Sequence, residues 1–302
     1  MKALVISGGG SKGAFAGGVA QFLMENEKRK YDLFLGTSTG GLLIPHLANG
    51  EIKKLHEIYT TVNQRKIFSN NPFIVKRKKG KEFVTINHLN VLWQILKGKR
   101  TFGESKALRR SIKRNFSQND YDQILKNELD VVVTVANLTK NSIEYKSIKE
   151  TTYEDFCDWI WISCNYIPFM SLVKKEGNEY ADGGFGSVVP IREAIKRGAT
   201  EIDAIILETE TVERNNVLGK NPFSLMVNLF GYLLDQIEYH NITIGKLAAQ
   251  NKNVKLNLYY TPTTLTTNSL VFNKKLMSQW WEQGFEYAKT KHNKIKTIQE
   301  KE

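Results

Sequence analysis

The chain has 302 residues, enough for one large α/β domain with a sizeable buried core. Hydrophobic residues make up 41% of it and charged residues 25%, values that are typical of globular proteins and exclude a disordered or membrane-spanning chain. The formal net charge is +12, and the segment 63–114 alone carries +13, from fifteen basic and two acidic residues. The excess positive charge therefore belongs to one segment.

The chain shows no targeting or membrane-spanning segment. The strand pattern at the start runs into glycine after too few apolar residues for a signal peptide. No apolar run reaches the roughly 18 residues of a membrane span. We therefore expect a cytoplasmic protein. Cys157 and Cys164 are too far apart on one predicted helix to form a disulfide, which fits a reducing compartment. The acidic residues lack a calcium-loop spacing and neither thiol has metal-site partners, so we expect no cofactor.

A glycine-rich turn follows the first predicted strand. The apolar run 3–6 predicts a buried strand, and Gly8-Gly9-Gly10-Ser11-Lys12-Gly13 separates it from a helix predicted over 14–27. Backbone N–H groups in such a turn can point together at one anion. The turn also matches the dinucleotide pattern G-x-G-x-x-G, but Asp32 precedes the second strand instead of ending it. A purely structural turn is the other alternative.

The second predicted strand ends in G-x-S-x-G. Gly36-Thr37-Ser38-Thr39-Gly40 follows the apolar run 33–35 and precedes a helical stretch that begins at Gly41. A strand that turns into a helix through this pattern is typical of a nucleophile elbow, where glycines two residues before and after the serine permit a tight, strained turn. The helix N-terminus beside the hydroxyl favours an oxyanion. An ordinary Gly/Ser/Thr turn is the alternative.

Asp182-Gly183-Gly184 is a third candidate site segment. The two glycines let the backbone that carries the carboxylate bend closely around another loop. The alternative is the D-G turn of a β-hairpin.

In this order, the three segments resemble those of the patatin-like phospholipases, a family of lipid acyl hydrolases, and the resemblance spans Met1 to about Leu207. A fourth segment, 161–168, is similar to the family's helix-to-proline segment, with the pattern SxxxxP. Lys12 stands where the family usually has arginine, and Cys164-Asn165 replace residues that are usually small and apolar.

The resemblance implies a fold and an organisation. We expect a three-layer α/β/α patatin-like fold with a central, mostly parallel sheet, in one domain over 1–302. Within it, 63–114 forms a basic, cap-like insertion and 293–302 a polar tail. Further strands are predicted over 130–137, 142–147, 201–207 and 254–260, and a closing helix over about 272–292. The apolar stripe from Leu225 to Ile237 is expected to pack on the sheet.

The resemblance also implies roles for individual residues. The expected reaction is phospholipase A-type hydrolysis of phospholipid esters by a dyad of Ser38 and Asp182. None of the histidines, at 46, 56, 88, 240 and 292, lies in a glycine-containing loop that could deliver a base. The oxyanion hole is assigned to Gly8, Gly9, Gly10 and Ser11, loop support to Lys12 and Gly13, the elbow to Gly36 and Gly40, and the dyad loop to Gly183 and Gly184.

The dyad makes a physical demand on Asp182. An aspartate with an ordinary pKa is a weak base for a serine hydroxyl, so its carboxyl must be buried and its pKa raised. Two other functions remain open at this point. One is an acyltransferase that uses the same dyad, and the other is a non-catalytic module that binds a phosphate or nucleotide with the glycine-rich turn.

The basic segment 63–114 predicts a partner. Its cations are interleaved with apolar residues such as Ile67, Phe68, Leu92, Trp93 and Leu96. This combination favours peripheral contact with an anionic membrane. A solvated surface or binding of nucleic acid would fit the same composition, with nucleic acid the least favoured.

Overall fold

The structure, a computed structural model, describes residues 1–78, 81–211 and 222–299. Ten strands lie in these residues, eight in a central sheet and two in a separate hairpin. They are β1 Lys2–Ile6, β2 Leu33–Thr37, β3 Phe73–Lys78, β4 Lys81–Ile86, β5 Asp130–Asn137, β6 Ser142–Ser147, β7 Val173–Lys175, β8 Asn178–Asp182, β9 Glu201–Thr209 and β10 Lys255–Thr261.

The central sheet is mixed and mostly parallel. Its order is β10-β9-β1-β2-β5-β8-β7, and β6 also pairs with β5. The pairs β10–β9, β9–β1, β1–β2 and β2–β5 are parallel, whereas the pairs that involve β6, β7 and β8 are antiparallel. Since parallel strands end at the same edge of a sheet, the glycine-rich turn after β1 and the serine after β2 lie side by side.

Helices cover both faces of the sheet. Their bounds are α1 Gly13–Gln21, α2 Thr39–Ala48, α3 Ile52–Thr61, α4 Gln64–Ile67, α5 His88–Leu96, α6 Lys106–Asn115, α7 Gln118–Lys126, α8 Tyr153–Ser163, α9 Ile191–Lys196, α10 Pro222–Asn251 and α11 Lys274–Gln299.

Alternation along β1 separates two cores. Leu4 and Ile6 are fully buried with residues of α1, α2, α3, α8 and α11, whereas Ala3 and Val5 are buried on the other face with residues of α9. A strand with both faces buried reads as a continuous apolar run, which is what 3–6 shows. The predicted sheet with helices on both sides is confirmed.

The segment 63–114 is only partly an exposed surface. Ile67 and Phe68 are both 5% exposed and belong to the main core, as does Leu108 of α6. The apolar residues that face solvent are concentrated on α5 instead. The limits of the predicted insertion stay a prediction.

The C-terminal third differs from expectation in two details, the burial of the α10 stripe and the end of the closing helix. The stripe on α10 does not bury all its residues, because Leu225, Leu229 and Leu233 are 62%, 54% and 46% exposed. Helical spacing shows that such residues share a face but does not show what covers that face. The closing helix continues to Gln299, beyond its predicted end near 292, since Lys294, Lys296 and Gln299 favour helix. Residues 300–302 lie outside the described ranges.

None of the helices in the described residues contains a stretch long and apolar enough to cross a bilayer. Both cysteines are free and buried, as expected from their spacing.

Candidate active site

Ser38 lies at the sharp turn between β2 and α2. Its φ of 54° and ψ of −121° place it in a strained region for a residue with a side chain. A Cβ atom on Gly36 would lie 2.3 Å from the Gly40 carbonyl carbon, and one on Gly40 would lie 2.2 Å from the Ile6 carbonyl oxygen. The turn therefore requires both glycines, which accounts for the spacing of the pattern.

Asp182 is the last residue of β8 and comes close to Ser38 from the neighbouring part of the sheet. Its side chain is 4% exposed, and the Gly184 N–H donates to Oδ1 over 2.8 Å. A Cβ on Gly183 would lie 2.3 Å from the Thr134 carbonyl oxygen, so this glycine lets the loop pass directly over β5. The two glycines after Asp182 thus turn the chain tightly around its carboxylate.

The electrostatics of Asp182 are dominated by burial. Burial raises the pKa of its carboxyl from 3.8 to about 7, although hydrogen-bonding interactions with the Ser38 side chain and the Gly184 N–H act in the opposite direction. The Ser38 hydroxyl therefore lies close enough to the Asp182 carboxyl to lower its pKa. The burial and raised pKa that the sequence analysis requires of a base at this position are both present.

One short segment holds both residues in place. The Ser38 N–H donates to Ser163 Oγ over 2.9 Å, and Cys164 Sγ donates to the Ser38 carbonyl oxygen over 3.2 Å. The Asp182 N–H donates to the Asn165 carbonyl oxygen over 3.0 Å. Sequence reasoning identified this segment by its SxxxxP pattern but gave Ser163, Cys164 and Asn165 no role. The contacts of Ser163 and Cys164 with Ser38 join residues more than a hundred positions apart, and no local pattern encodes them.

The glycine-rich turn after β1 runs beside Ser38. A Cβ on Gly8 would lie 3.5 Å from the Ser38 Cβ. The four predicted oxyanion donors are not equivalent, however. The Gly8 N–H donates to the Val188 carbonyl over 3.1 Å, and the Ser11 N–H donates to the Ser269 carbonyl over 2.8 Å. Ser11 is also fully buried and does not line the cavity described below.

Two donors of that turn remain. Among the described residues the amides of Gly9 and Gly10 have no hydrogen-bond acceptor, and both residues line the cavity. Gly10 has a φ of +55°, and a Cβ there would lie 2.3 Å from the Ser269 carbonyl oxygen. The amides of Gly8 and Ser11 hold the turn against the surrounding chain, so Gly9 and Gly10 are the better-placed candidates among the four predicted donors.

Lys12 and Gly13 connect the turn to its surroundings. The Lys12 ammonium, which is almost fully buried, forms an ion pair with Glu208 on β9. A Cβ on Gly13 would lie 2.3 Å from Thr39 Oγ1, so this glycine permits the starts of α1 and α2 to approach each other. Both residues shape the turn, and Lys12 does so through the end of β9.

A large cavity opens at these groups. Its volume is about 1290 Å³, and Ser38, Asp182 and Gly8 to Gly10 line one part of it. Much of the remaining wall is apolar, from residues of α2 to α4, the hairpin, α6 and α8; these include Leu42, Ile58, Val62, Ile67, Phe73, Leu108, Ile112, Phe116, Ile160 and Met170. Such a wall suits a long hydrocarbon chain.

Histidines do not take part in this arrangement. His46 and His88 line the same cavity, but the groups that influence the Asp182 carboxyl are Ser38 and Gly184. His46 Nδ1 is instead bonded to Glu51 Oε2 at 2.8 Å. Within the described residues, no three His, Cys, Asp or Glu side chains stand close enough together to hold a metal ion.

Residues 4–195 match the family model described as patatin-like phospholipase. No curated protein sequence matches the chain. Among solved structures, the chain is similar to VipD from Legionella pneumophila, with a TM-score of 0.54 and 16% identity. The similarity covers 96% of this chain and 66% of VipD, so the chain spans just under two thirds of VipD's length. At this identity, the likeness shows the fold alone.

Proposed function

The chain belongs to the patatin-like phospholipase family, which supports lipid acyl hydrolysis in general, and we propose that it cleaves phospholipid acyl esters through Ser38 and Asp182. The observation that carries the proposal is the contact between the Ser38 hydroxyl, on a strained turn, and a buried carboxyl whose pKa is raised to about 7. A serine in that position has a base of suitable strength beside it.

The proposed reaction has two steps. In the first, Ser38 Oγ attacks the ester carbonyl carbon while Asp182 takes the hydroxyl proton; the bond to the leaving alcohol breaks, and Asp182 returns the proton to that alcohol. In the second, water attacks the acyl-serine ester while Asp182 takes its proton; the bond between the acyl carbon and Ser38 Oγ breaks, Asp182 returns the proton to Oγ, and the fatty acid leaves. The N–H groups of Gly9 and Gly10 stabilise the oxyanion in both steps, and the loss of one such donor typically costs about 10²- to 10³-fold in rate.

The cavity supports a lipid substrate over a small ester. Its apolar wall adjoins Ser38, so an acyl chain can lie along it while its ester carbonyl faces the glycine-rich turn. A phosphate-binding role for that turn is less well supported, since the amides of Gly8 and Ser11 already donate to backbone carbonyls. The buried carboxyl of Asp182 beside the turn would also repel a phosphate.

Contact with a membrane is part of the proposal. On α5, the side chains of Leu89, Leu92, Trp93, Ile95 and Leu96 are 54% to 81% exposed. The segment 63–114, which contains α5, also carries exposed cations; those without an ion-pair partner among the described residues include Arg65, Lys66, Lys76, Lys97, Lys106, Arg110 and Arg114. An amphipathic helix with cations beside it suits insertion at the surface of an anionic bilayer. The hairpin just before α5 contributes Val84 and Ile86 to the cavity wall.

The test is release of fatty acid from mixed vesicles of phosphatidylcholine and phosphatidylglycerol. We expect the wild-type protein to produce fatty acid and lysophospholipid, and Ser38→Ala and Asp182→Asn to be slower by more than about 10³-fold. Ser278→Ala, at a half-buried position, and Asp122→Asn, at an exposed one, both lie outside the cavity; they serve as matched controls and should retain activity. Undiminished release by Ser38→Ala would contradict the proposal.

A further inference from the structure

A group of acidic side chains occupies the part of the cavity formed by α10 and the end of β9. Glu208 comes from β9, and Asp235 and Glu238, three residues apart, lie on the same face of α10. All three line the cavity that contains Ser38 and Asp182. The proposed hydrolysis uses none of them.

Glu238 is the unusual member of this group. It is 8% exposed, and its Oε1 has no hydrogen-bond partner among the described residues. The nearby Lys12 ammonium is already paired with Glu208. A buried carboxyl oxygen without a partner is unfavourable, because it has given up water without gaining another donor. The fold therefore keeps an unsatisfied carboxyl oxygen on a residue that lines the cavity.

The surroundings of Glu238 favour a positively charged ligand. Burial, followed by the charge of Glu208, raises the pKa of the Glu238 carboxyl to about 8. Desolvation and the same Glu208 charge also raise the pKa of Asp235, although that residue is exposed at the cavity mouth. The raised pKa values show that the environment of these carboxyls disfavours further negative charge and would stabilise a bound cation.

The residues of this part of the cavity favour an organic cation as the ligand. Among the described residues no group of acidic side chains is close enough together to chelate a metal ion. Tyr260, which is 7% exposed and close enough to Glu238 for that charge to raise its pKa, lines the same wall together with Tyr239. Aromatic rings beside carboxylates are the usual environment for an ammonium group.

The acidic group lies within reach of the reacting ester. Tyr166 lines the cavity, and its pKa is raised to about 12 by burial, by the charge of Asp182 and by the charge of Asp235. One side chain therefore interacts with both the candidate base and the acidic group. Because Ser38 and the acidic group line the same cavity, one phospholipid could place its ester at Ser38 and its head group at α10.

We propose that Glu238, with Asp235 and Tyr260, binds the ammonium of a zwitterionic phospholipid head group, either ethanolamine or choline, and so selects such lipids over anionic ones. This selection rests on the proposed function, because it presupposes a phospholipid substrate, but head-group binding can be measured without hydrolysis. The positively charged surface would then bind the bilayer, whereas the acidic cavity would select the lipid that is cleaved.

Binding can be tested in a form that cannot turn over. In the Ser38→Ala background, calorimetry would compare monomeric dihexanoyl phosphatidylcholine with dihexanoyl phosphatidylglycerol. We expect the choline lipid to bind about tenfold more tightly, and Glu238→Gln to remove most of that preference. Asp235→Asn, at the exposed mouth of the cavity, should reduce it as well. Glu57→Gln, at an exposed position on α3, is the matched control and should leave the preference unchanged.

A second readout separates direct charge recognition from a general effect on structure. The groups that face Glu238 are Glu208, Asp235 and Lys12, with Glu210 and Tyr260 nearby. Because the ammonium binds the ionised carboxyl, choline-lipid affinity should increase from pH 6 to pH 8 and then level off, with a proton released on binding near pH 7.

Glu238→Gln should lose this pH dependence while retaining the circular dichroism spectrum of the parent. Equal affinity for the two lipids, or a preference unchanged in both Glu238→Gln and Asp235→Asn, would overturn the head-group proposal. Either result would leave the hydrolysis test intact, since that test depends on Ser38 and Asp182.

Discussion

At the scale of single residues, the site contains two features that are unfavourable for folding, a strained backbone and a buried carboxyl. Ser38 has a positive φ, and Asp182 is a carboxyl that burial keeps from ionising until about pH 7. Strained backbone and desolvated charge persist where the surrounding structure fixes them, and such features concentrate at functional sites. The contacts from Ser163 and Asn165 provide that fixation here.

The raised pKa of Asp182 predicts how Asp182→Asn affects stability. The carboxyl ionises near pH 4 in the unfolded chain and only near pH 7 in the folded one, so its contribution becomes unfavourable as pH rises through this interval. Asp182→Asn should therefore be more stable than wild type, and its advantage in the free energy of unfolding should grow by roughly 2–3 kcal/mol between pH 5 and pH 8.

Urea unfolding of the two proteins at pH 5 and pH 8 measures this difference. Asp155→Asn is a control of opposite sign, because Lys175 lowers the pKa of Asp155, so this variant should be slightly less stable than wild type at pH 8. The effect should be small, since Asp155 is 43% exposed. An Asp182→Asn advantage that is absent or does not change with pH would show that Asp182 ionises normally.

At the scale of secondary-structure elements, the end of α8 has the largest effect on the site. Ser163 is the last residue of the helix, and Cys164 and Asn165 follow it. These three successive residues form hydrogen bonds with Ser38, which follows β2, and with Asp182, which ends β8. Ser38 follows β2 and Asp182 ends β8, with β5 between those strands. The separation of the two side chains is therefore set by the sheet and adjusted by α8.

Ser163→Ala tests this positioning. The Ser38 N–H would lose its acceptor, which should cost about 1–3 kcal/mol of stability and loosen the turn. We expect kcat for a soluble ester to fall by about 10- to 100-fold with little change in KM, since the cavity wall is unaltered. Ser147→Ala is the matched control: Ser147 is 1% exposed and its Oγ accepts from the Lys149 N–H, but it lies at the end of β6. An equal loss of kcat in both variants would argue against a specific role for Ser163.

Elements and turns could be predicted from the sequence where the signal is local. The bounds of β5 and β6 agree with prediction, because apolar or alternating runs end at polar turn residues there. The tight turn at Ser38 follows from two glycines at fixed spacing. In contrast, the hydrogen bonds that occupy the amides of Gly8 and Ser11 come from Val188 and Ser269, and no local pattern encodes partners so distant.

At the scale of the whole molecule, the charge that the sequence concentrates in 63–114 is partly neutralised by the fold. Arg109 pairs with Asp158 on α8, Arg100 with Glu179 on β8, and Lys113 with Glu154. Composition could not reveal this, because the partners lie outside the segment. What remains is a smaller set of exposed, unpaired cations in the segment that carries the exposed apolar residues of α5, and this narrows the surface proposed to contact a membrane.

Polar substitutions on α5 test this surface. Leu92→Ser and Leu96→Ser, one helical turn apart, should each weaken binding to vesicles that contain phosphatidylglycerol by about five- to tenfold. Turnover of a soluble ester should not change, since neither residue lines the cavity. Leu247→Ser, at a leucine on α10 that is 57% exposed, is the control. Vesicle co-sedimentation measures the binding, and equal behaviour of all three variants would exclude α5 as the contact.

The central claim is that the Ser38 hydroxyl is a nucleophile activated by Asp182. Mass spectrometry of the intact protein after reaction with a fluorophosphonate, followed by peptide mapping, tests it most directly. One adduct per chain, located on Ser38, lost in Ser38→Ala and formed much more slowly in Asp182→Asn, is the predicted result. An adduct on any other residue, or labelling of Asp182→Asn at the wild-type rate, would contradict the account.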